Sequence, residues 1–250
     1  MTTISKNENK KISLNSILND KVHGSSEILK RFLDYLYENR KDPTKLKSAL
    51  LSARKKFPHF PAIIEIINDL QIQLKENNYI TVNVLIAVYR AIEGDVYKII
   101  FENAETELLK HNIFLTISHS KTLIEIFKLL KKENKKIKVF VSESRPKNEG
   151  KLLSEELKRN KIKNQLITEA STGKIIKQID AVILGADQVL KNGSIVNKTG
   201  SRMLAILAKY ERIPVYVLAS KSKLITKQIT NLPDEFEMVE KRLITKIITD

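Results

Sequence analysis

A chain of 250 residues with 42% hydrophobic content can bury one large core or two small ones, which excludes a wholly disordered protein. Its 44 Lys and Arg outweigh 29 Asp and Glu, and the net charge of +15 favours anionic partners: nucleic acid, acidic proteins or phosphorylated small molecules. Cysteine is absent, which excludes disulfides, thiolate metal sites and a cysteine nucleophile.

The N-terminal MTTISKNENKKISLNSILND is polar and lacks the compact apolar core of a secretory signal. No later stretch approaches the ~18–20 continuous apolar residues of a membrane span, so we expect a cytoplasmic protein with no membrane partner. Next, SSEILKRFLDYLYENR sets Ile28, Leu29, Phe32, Leu33 and Leu36 at helical spacing behind the cap candidates Ser25 and Ser26. Asp42-Pro43 ends that helix, and Pro43 suits the first turn of the next, PTKLKSALLSARKKF. Pro58 and Pro61 punctuate again before PAIIEIINDLQIQLKE. From Tyr79 to about Lys110 the pattern predicts one or two long helices, with Gly94 a candidate irregularity.

Beyond this point the grammar changes. Apolar strand candidates fall at 113–117, 137–141, 164–168, 180–185 and 214–219, with amphipathic stretches near 121–133, 149–160, 171–178 and 200–211 between them. Short β-branched runs alternating with single helices predict βαβ units and a parallel sheet. The expected fold class is therefore α/β: a helical N-terminal subdomain over 1–110, then a Rossmann-like parallel sheet with helices on both faces over 111–250. No Pro/Gly/Ser linker marks the junction, so the two parts are expected to pack together.

Ligands of such sheets bind outside the carboxyl ends of the strands, and polar residues cluster there. Ser118, His119 and Ser120 follow the first strand, Glu143, Ser144 and Arg145 the second, Asp187 the fourth, and Ser220 with Lys221 the fifth. A P-loop is rejected because Asn192 and Asn197 stand where NGSIVNKT would need glycines, and no G-x-G-x-x-G occurs. What remains is a helix start at Thr199, Gly200 and Ser201, beside Lys198, with free N–H groups able to hold an anion; the alternative is a capped helix with Gly for close packing. Arg145 offers a bidentate fork to phosphate, or pairs with Glu143. Asp187 reads as an acid/base, a hydroxyl-orienting carboxylate or a turn residue. His23, His59, His111 and His119 show no metal spacing, so neither a metal nor another cofactor is expected. Aromatics make up 6% of residues and Trp is missing, which disfavours direct nucleic-acid binding.

Four strings together, GSSEILKRFLDYL, FLTISHSKTLIEIFK, VFVSESRPKNEGKLLSEEL and VILGADQVLKNGSIVNKTGSRMLAILAK, resemble the alpha/beta/delta regulatory subunits of translation initiation factor 2B. The same superfamily holds ribose-1,5-bisphosphate isomerase and methylthioribose-1-phosphate isomerase. The resemblance covers roughly residues 20 to 225 and implies a cytoplasmic homodimer or higher homo-oligomer, a phosphorylated small-molecule ligand and initiation factor 2 as a partner. Carried over by motif, it places Ser118 at the isomerases' thiol and Asp187 on their catalytic aspartate. It places Asn197 and Lys198 on substrate contacts, Arg145 and His119 near the ligand, and Gly24 with Ser25 on a phosphate-proximal loop. That loop usually carries an arginine where this chain has His23. A serine in place of a thiol is a poor proton shuttle, which favours a non-catalytic regulatory subunit over an isomerase.

Overall fold

The computed structural model describes residues 13–20, 23–133, 136–225 and 232–250, and the side chains of residues 93 and 94 also fall outside the description. Most of the N-terminal stretch judged for a secretory signal lies outside the described residues. A short helix α1 (Leu14–Leu18) leads into α2 (Ser25–Glu38), α3 (Pro43–Lys56), α4 (Pro61–Lys75) and the long α5 (Tyr79–Leu108). Local chemistry sets the starts: Asp42 accepts the Lys45 N–H at 3.0 Å with Pro43 in the first turn, and Asn78 accepts that of Thr81 at 3.2 Å. α5 is one helix that runs through Gly94. Phe32, Leu36, Leu46, Leu50, Ile63 and Ile67 are wholly buried between these helices.

The remainder builds two sheets. The larger uses β1 (Ile113–Ile117), β2 (Lys138–Ser142), β3 (Lys163–Ile167) and β4 (Ala181–Leu184). After β5 (Gln188–Leu190) and β6 (Ile195–Lys198) come β7 (Val215–Leu218), β8 (Leu224–Ile225), β9 (Phe236–Val239) and β10 (Lys246–Ile248). Helices α6 (Lys121–Glu133), α7 (Glu149–Arg159), α8 (Thr172–Ile175) and α9 (Ser201–Tyr210) lie between the strands. The large sheet is ordered β10-β7-β4-β1-β2-β3 and every pairing in it is parallel. Counted along the chain this is the doubly wound order 3-2-1-4-5-6, so the crevice at the topological switch lies between β1 and β4.

Alternation along the strands divides the sheet's faces. Phe114, Val139, Ala181 and Ile183 pack with the second half of α5, α6 and α7. Leu115, Ile117, Val182 and Leu184 face the other way, onto α9 and the 175–179 turn. The sheet is thus covered on both faces.

The second sheet, β8-β5-β6-β9, and the edge strand β10 were not anticipated from the sequence. The Asn192-Gly193 turn joins β5 to β6: Gly193 has φ +82°, and Asn192 Oδ1 accepts the Ser194 N–H at 2.9 Å. Val196 and Phe236 from this sheet enter the helical core, so it wedges between the helices and the large sheet.

Candidate functional site

β1 delivers Ser118 and His119 to the switch-point crevice, and β4 delivers Gly185, Ala186 and Asp187. β6 ends in Asn197 and Lys198, and the start of α2 brings Gly24 and Ser25. Together with Lys223 they line a cavity of about 20 Å³, room for one water. An outer chamber of about 440 Å³ shares Gly24, Asp187 and Lys198 with it and adds His23, Lys56, His59, Lys147 and Glu235. That size lies in the range of small-molecule sites.

Close packing sets the inner wall. A Cβ on Gly24 would stand 3.0 Å from the His119 carbonyl oxygen, so a residue without a side chain lets α2 approach the β1 loop. Ser25 Oγ donates to Asp187 Oδ1 at 2.6 Å, linking the helical part to the sheet through a buried carboxylate. Ser118 and Ser144 both hold left-handed backbone, φ +67° and +64°, an uncommon conformation for non-glycine residues that Asn77, Lys161 and Arg212 adopt at turns elsewhere in the chain. The Ser118 N–H donates to Ser144 Oγ at 2.6 Å.

One oxygen of Glu169 accepts from Ser142 Oγ at 3.0 Å, Ser144 N–H at 2.6 Å and Arg145 N–H at 3.2 Å. Burial works to raise the Glu169 pKa, but the bond from its own backbone N–H, followed by those from Arg145, Ser142 and Ser144, outweighs it and holds the carboxyl below its usual range.

His119 Nε2 lies 3.2 Å from Glu156 Oε2, while its Nδ1 is buried without a partner. Burial lowers the pKa of this ring, against the opposing pull of Glu156. No Ser–His pair of the kind that activates a hydroxyl nucleophile therefore forms here among the described residues. Lys198 Nζ sits 3.5 Å from Glu149, 3.7 Å from Glu235 and 4.4 Å above the Phe236 ring. Asn197 Nδ2 donates to Ser201 Oγ at 2.9 Å, which in turn donates to the Lys198 carbonyl at 2.6 Å.

Seven of the eight site residues read from the sequence, Gly24, Ser25, Ser118, His119, Asp187, Asn197 and Lys198, thus line the inner cavity. Arg145 does not: it is exposed, with Nε 3.0 Å from Glu143, and lies outside both chambers. The helix start beside Lys198 carries its anion within the chain. Glu237 Oε1 accepts the N–H groups of Gly200 at 2.7 Å and Arg202 at 2.8 Å. Gly200, φ +101°, turns the backbone there, as the close-packing alternative required. His23 bonds Asp20 at 2.7 Å and meets the His119 ring edge-on at 5.6 Å.

Sequence reasoning missed several wall residues, among them Lys121, Lys223 and His59. Lys223, buried, lies two positions beyond the flagged Lys221 in the loop after β7, so the strand-end rule would have found it. His59 is framed by Pro58 and Pro61 between α3 and α4, and nothing in that local pattern points toward Asp187. Its pKa is lowered by burial, with Asp187 opposing and Lys198 reinforcing the shift. A larger groove, about 740 Å³, opens between α2, α5 and α6; four of its five charged side chains pair internally, Arg90 with Asp34 at 2.6 Å and Lys121 with Glu125 at 3.0 Å. Among the described residues no three His, Asp or Glu side chains are grouped as a metal would need, and no helix is long and apolar enough to cross a membrane.

Fold and site define a doubly wound α/β protein with a helical N-terminal region and a polar, lysine-bearing pocket at the switch point. The chain belongs to the initiation factor 2 subunit family, whose model matches residues 29–250. It is 36% identical over 130 residues to translation initiation factor eIF2B subunit alpha of Caenorhabditis elegans, a match covering 51% of this chain and 43% of that protein. It is 37% identical over 123 residues to ribose 1,5-bisphosphate isomerase of Methanocaldococcus jannaschii, covering 49% and 40%. These matches span less than half the length of either relative. The crystal structure of Pyrococcus horikoshii OT3 translation initiation factor eIF-2B superposes with a TM-score of 0.81 at 20% identity, covering 94% of this chain and 93% of that one. The tetrameric eIF2B-beta2-delta2 complex from C. thermophilum gives 0.70 at 17% identity, covering 94% and 86%. The family thus includes both initiation-factor subunits and sugar-phosphate isomerases, and some members assemble into oligomers.

Proposed function

We propose that this chain is an initiation factor 2B-like regulatory subunit that keeps a sugar-phosphate- or nucleotide-type pocket and does not catalyse. The observation that carries this reading is Ser118. The resemblance puts a thiol there, and this chain has a hydroxyl whose neighbouring histidine is engaged with Glu156 instead. A serine without a bonded base is a weak proton carrier. Lys198 and Lys223 supply positive charge for a phosphorylated ligand, and Asp187 with Asn197 supplies groups for its hydroxyls. The same reading divides the chain near residue 110, places it in the cytoplasm, and makes initiation factor 2 its protein partner. It also makes the chain a homodimer or higher homo-oligomer. Apolar residues left exposed on α9 and β9, namely Met203, Ile206, Tyr210 and Met238, support self-association.

The second reading is a ribose-1,5-bisphosphate isomerase-like aldose–ketose isomerase, favoured by the buried Asp187 facing both chambers. Incubation with ribose 1,5-bisphosphate separates the two. We expect thermal stabilisation without turnover. Turnover that Asp187→Asn abolishes would overturn the regulatory reading.

A further inference from the structure

We propose that His119 and Glu156 form a hydrogen-bond acceptor built into the inner wall, and that the ligand group seated against it is a hydroxyl, not a phosphate. This rests on the ligand-pocket reading above and specifies its chemistry. Glu156 reaches across from α7 to Nε2 at 3.2 Å. A carboxylate accepts, so Nε2 carries the hydrogen and Nδ1 presents a bare lone pair. That Nδ1 is buried and has no partner, and His119, 7% exposed, is one of the residues lining the cavity. Buried acceptors are nearly always satisfied by protein or water, so an orphan in a cavity wall marks a place where a donor belongs.

The chemistry selects the donor. A phosphate at neutral pH presents mainly acceptor oxygens, and a carboxylate stands behind this ring. A hydroxyl donates and fits. The charged or titratable groups around the ring are Glu156 from α7 and His23 and Glu27 from the α2 end, and burial of the ring lowers its pKa against the pull of the two carboxylates. Of the lysines on the inner wall, Lys121 near His119 is paired with Glu125 at 3.0 Å, while Lys198 and Lys223 come from other elements; Lys56 and Lys147 lie in the outer chamber. A phosphorylated sugar would therefore lie with its hydroxyls toward His119 and its phosphate toward the lysines. The inner cavity, about 20 Å³, must widen to admit the sugar.

Titration calorimetry of the purified chain with ribose 5-phosphate, with analogues each lacking one hydroxyl, and with inorganic phosphate tests this. One analogue is expected to bind at least about tenfold more weakly than ribose 5-phosphate, since a site built to bond a hydroxyl rejects a ligand without it. His119→Gln keeps an amide N–H toward Glu156 and lacks the Nδ1 acceptor. It should show the same loss for ribose 5-phosphate, with none for that analogue or for inorganic phosphate. If the wild-type chain binds ribose 5-phosphate and both the analogues and His119→Gln stay within about twofold, this inference falls and the pocket reading stands. Equal losses for ribose 5-phosphate and inorganic phosphate in His119→Gln also overturn it, because His119 then serves the phosphate. If no sugar phosphate binds the wild type, both readings fall. Should His119→Gln not fold, the analogue series on the wild type decides alone.

Discussion

Asp187 shows how a single side chain holds this site together. Its Oδ1 takes a 2.6 Å bond from Ser25 in a buried setting, and hydrogen bonds to a charged group are the stronger kind. Ser25→Ala is expected to destabilise the chain by about 1.5–3 kcal/mol, measured by urea unfolding. A second effect at this scale is acid sensitivity. Burial lowers the pKa of His59, His111 and His119 below the ordinary 6.5. Protonation then favours the unfolded chain, so this contribution to stability is complete above pH 6.5 and is lost as pH falls toward the depressed folded values. Melting points followed from pH 7.5 to about 5 should fall through that window, and less so in His119→Gln. The gathering of Asp187, Ser118 and His119 was legible in the sequence, because each follows a strand end of a doubly wound sheet; Asn197, on β6 of the second sheet, was reached only through the family resemblance. The partners Glu156 and His59 were not, because they approach from α7 and the α3–α4 loop, and no local pattern encodes that meeting.

At the scale of elements, the start of α9 is the instructive case. Sequence allowed two readings of Thr199-Gly200-Ser201, and the carboxylate of Glu237 on β9 decides between them by occupying the N–H groups. Glu237→Gln should cost about 0.3–1 kcal/mol, since it removes the charge at the positive end of the helix dipole but keeps an acceptor oxygen. Gly200→Ala should cost about 1–3 kcal/mol, because φ +101° suits only glycine; the overlap with Ile117 Cδ1 is relieved by moving a flexible tip. Both are read from urea unfolding midpoints. Glu237 went unseen from sequence because the sheet that carries it is made of strands two to four residues long. Such strands are too short for a period of two to register, and β6 ends in the polar Asn197 and Lys198. The long elements, α2 to α5 and the inner strands of the large sheet, carry their periodicity plainly and were legible.

For the molecule as a whole, the charge of +15 bears on association more than on the fold, and α9 leaves apolar residues exposed. Ile206 and Tyr210 are 42% and 81% exposed. If they seat a second copy, Ile206→Asp with Tyr210→Asp converts the dimer to monomer in light scattering while the circular dichroism spectrum is retained. The pocket itself has one more consequence. Ser25 belongs to the helical core's own helix and Asp187 to the sheet, so whatever binds between them holds both halves at once. An occupant would act as a thermodynamic rivet. Calorimetric melting of the empty chain would then resolve two overlapping transitions, one for each core, and ligand would fuse them into a single cooperative one.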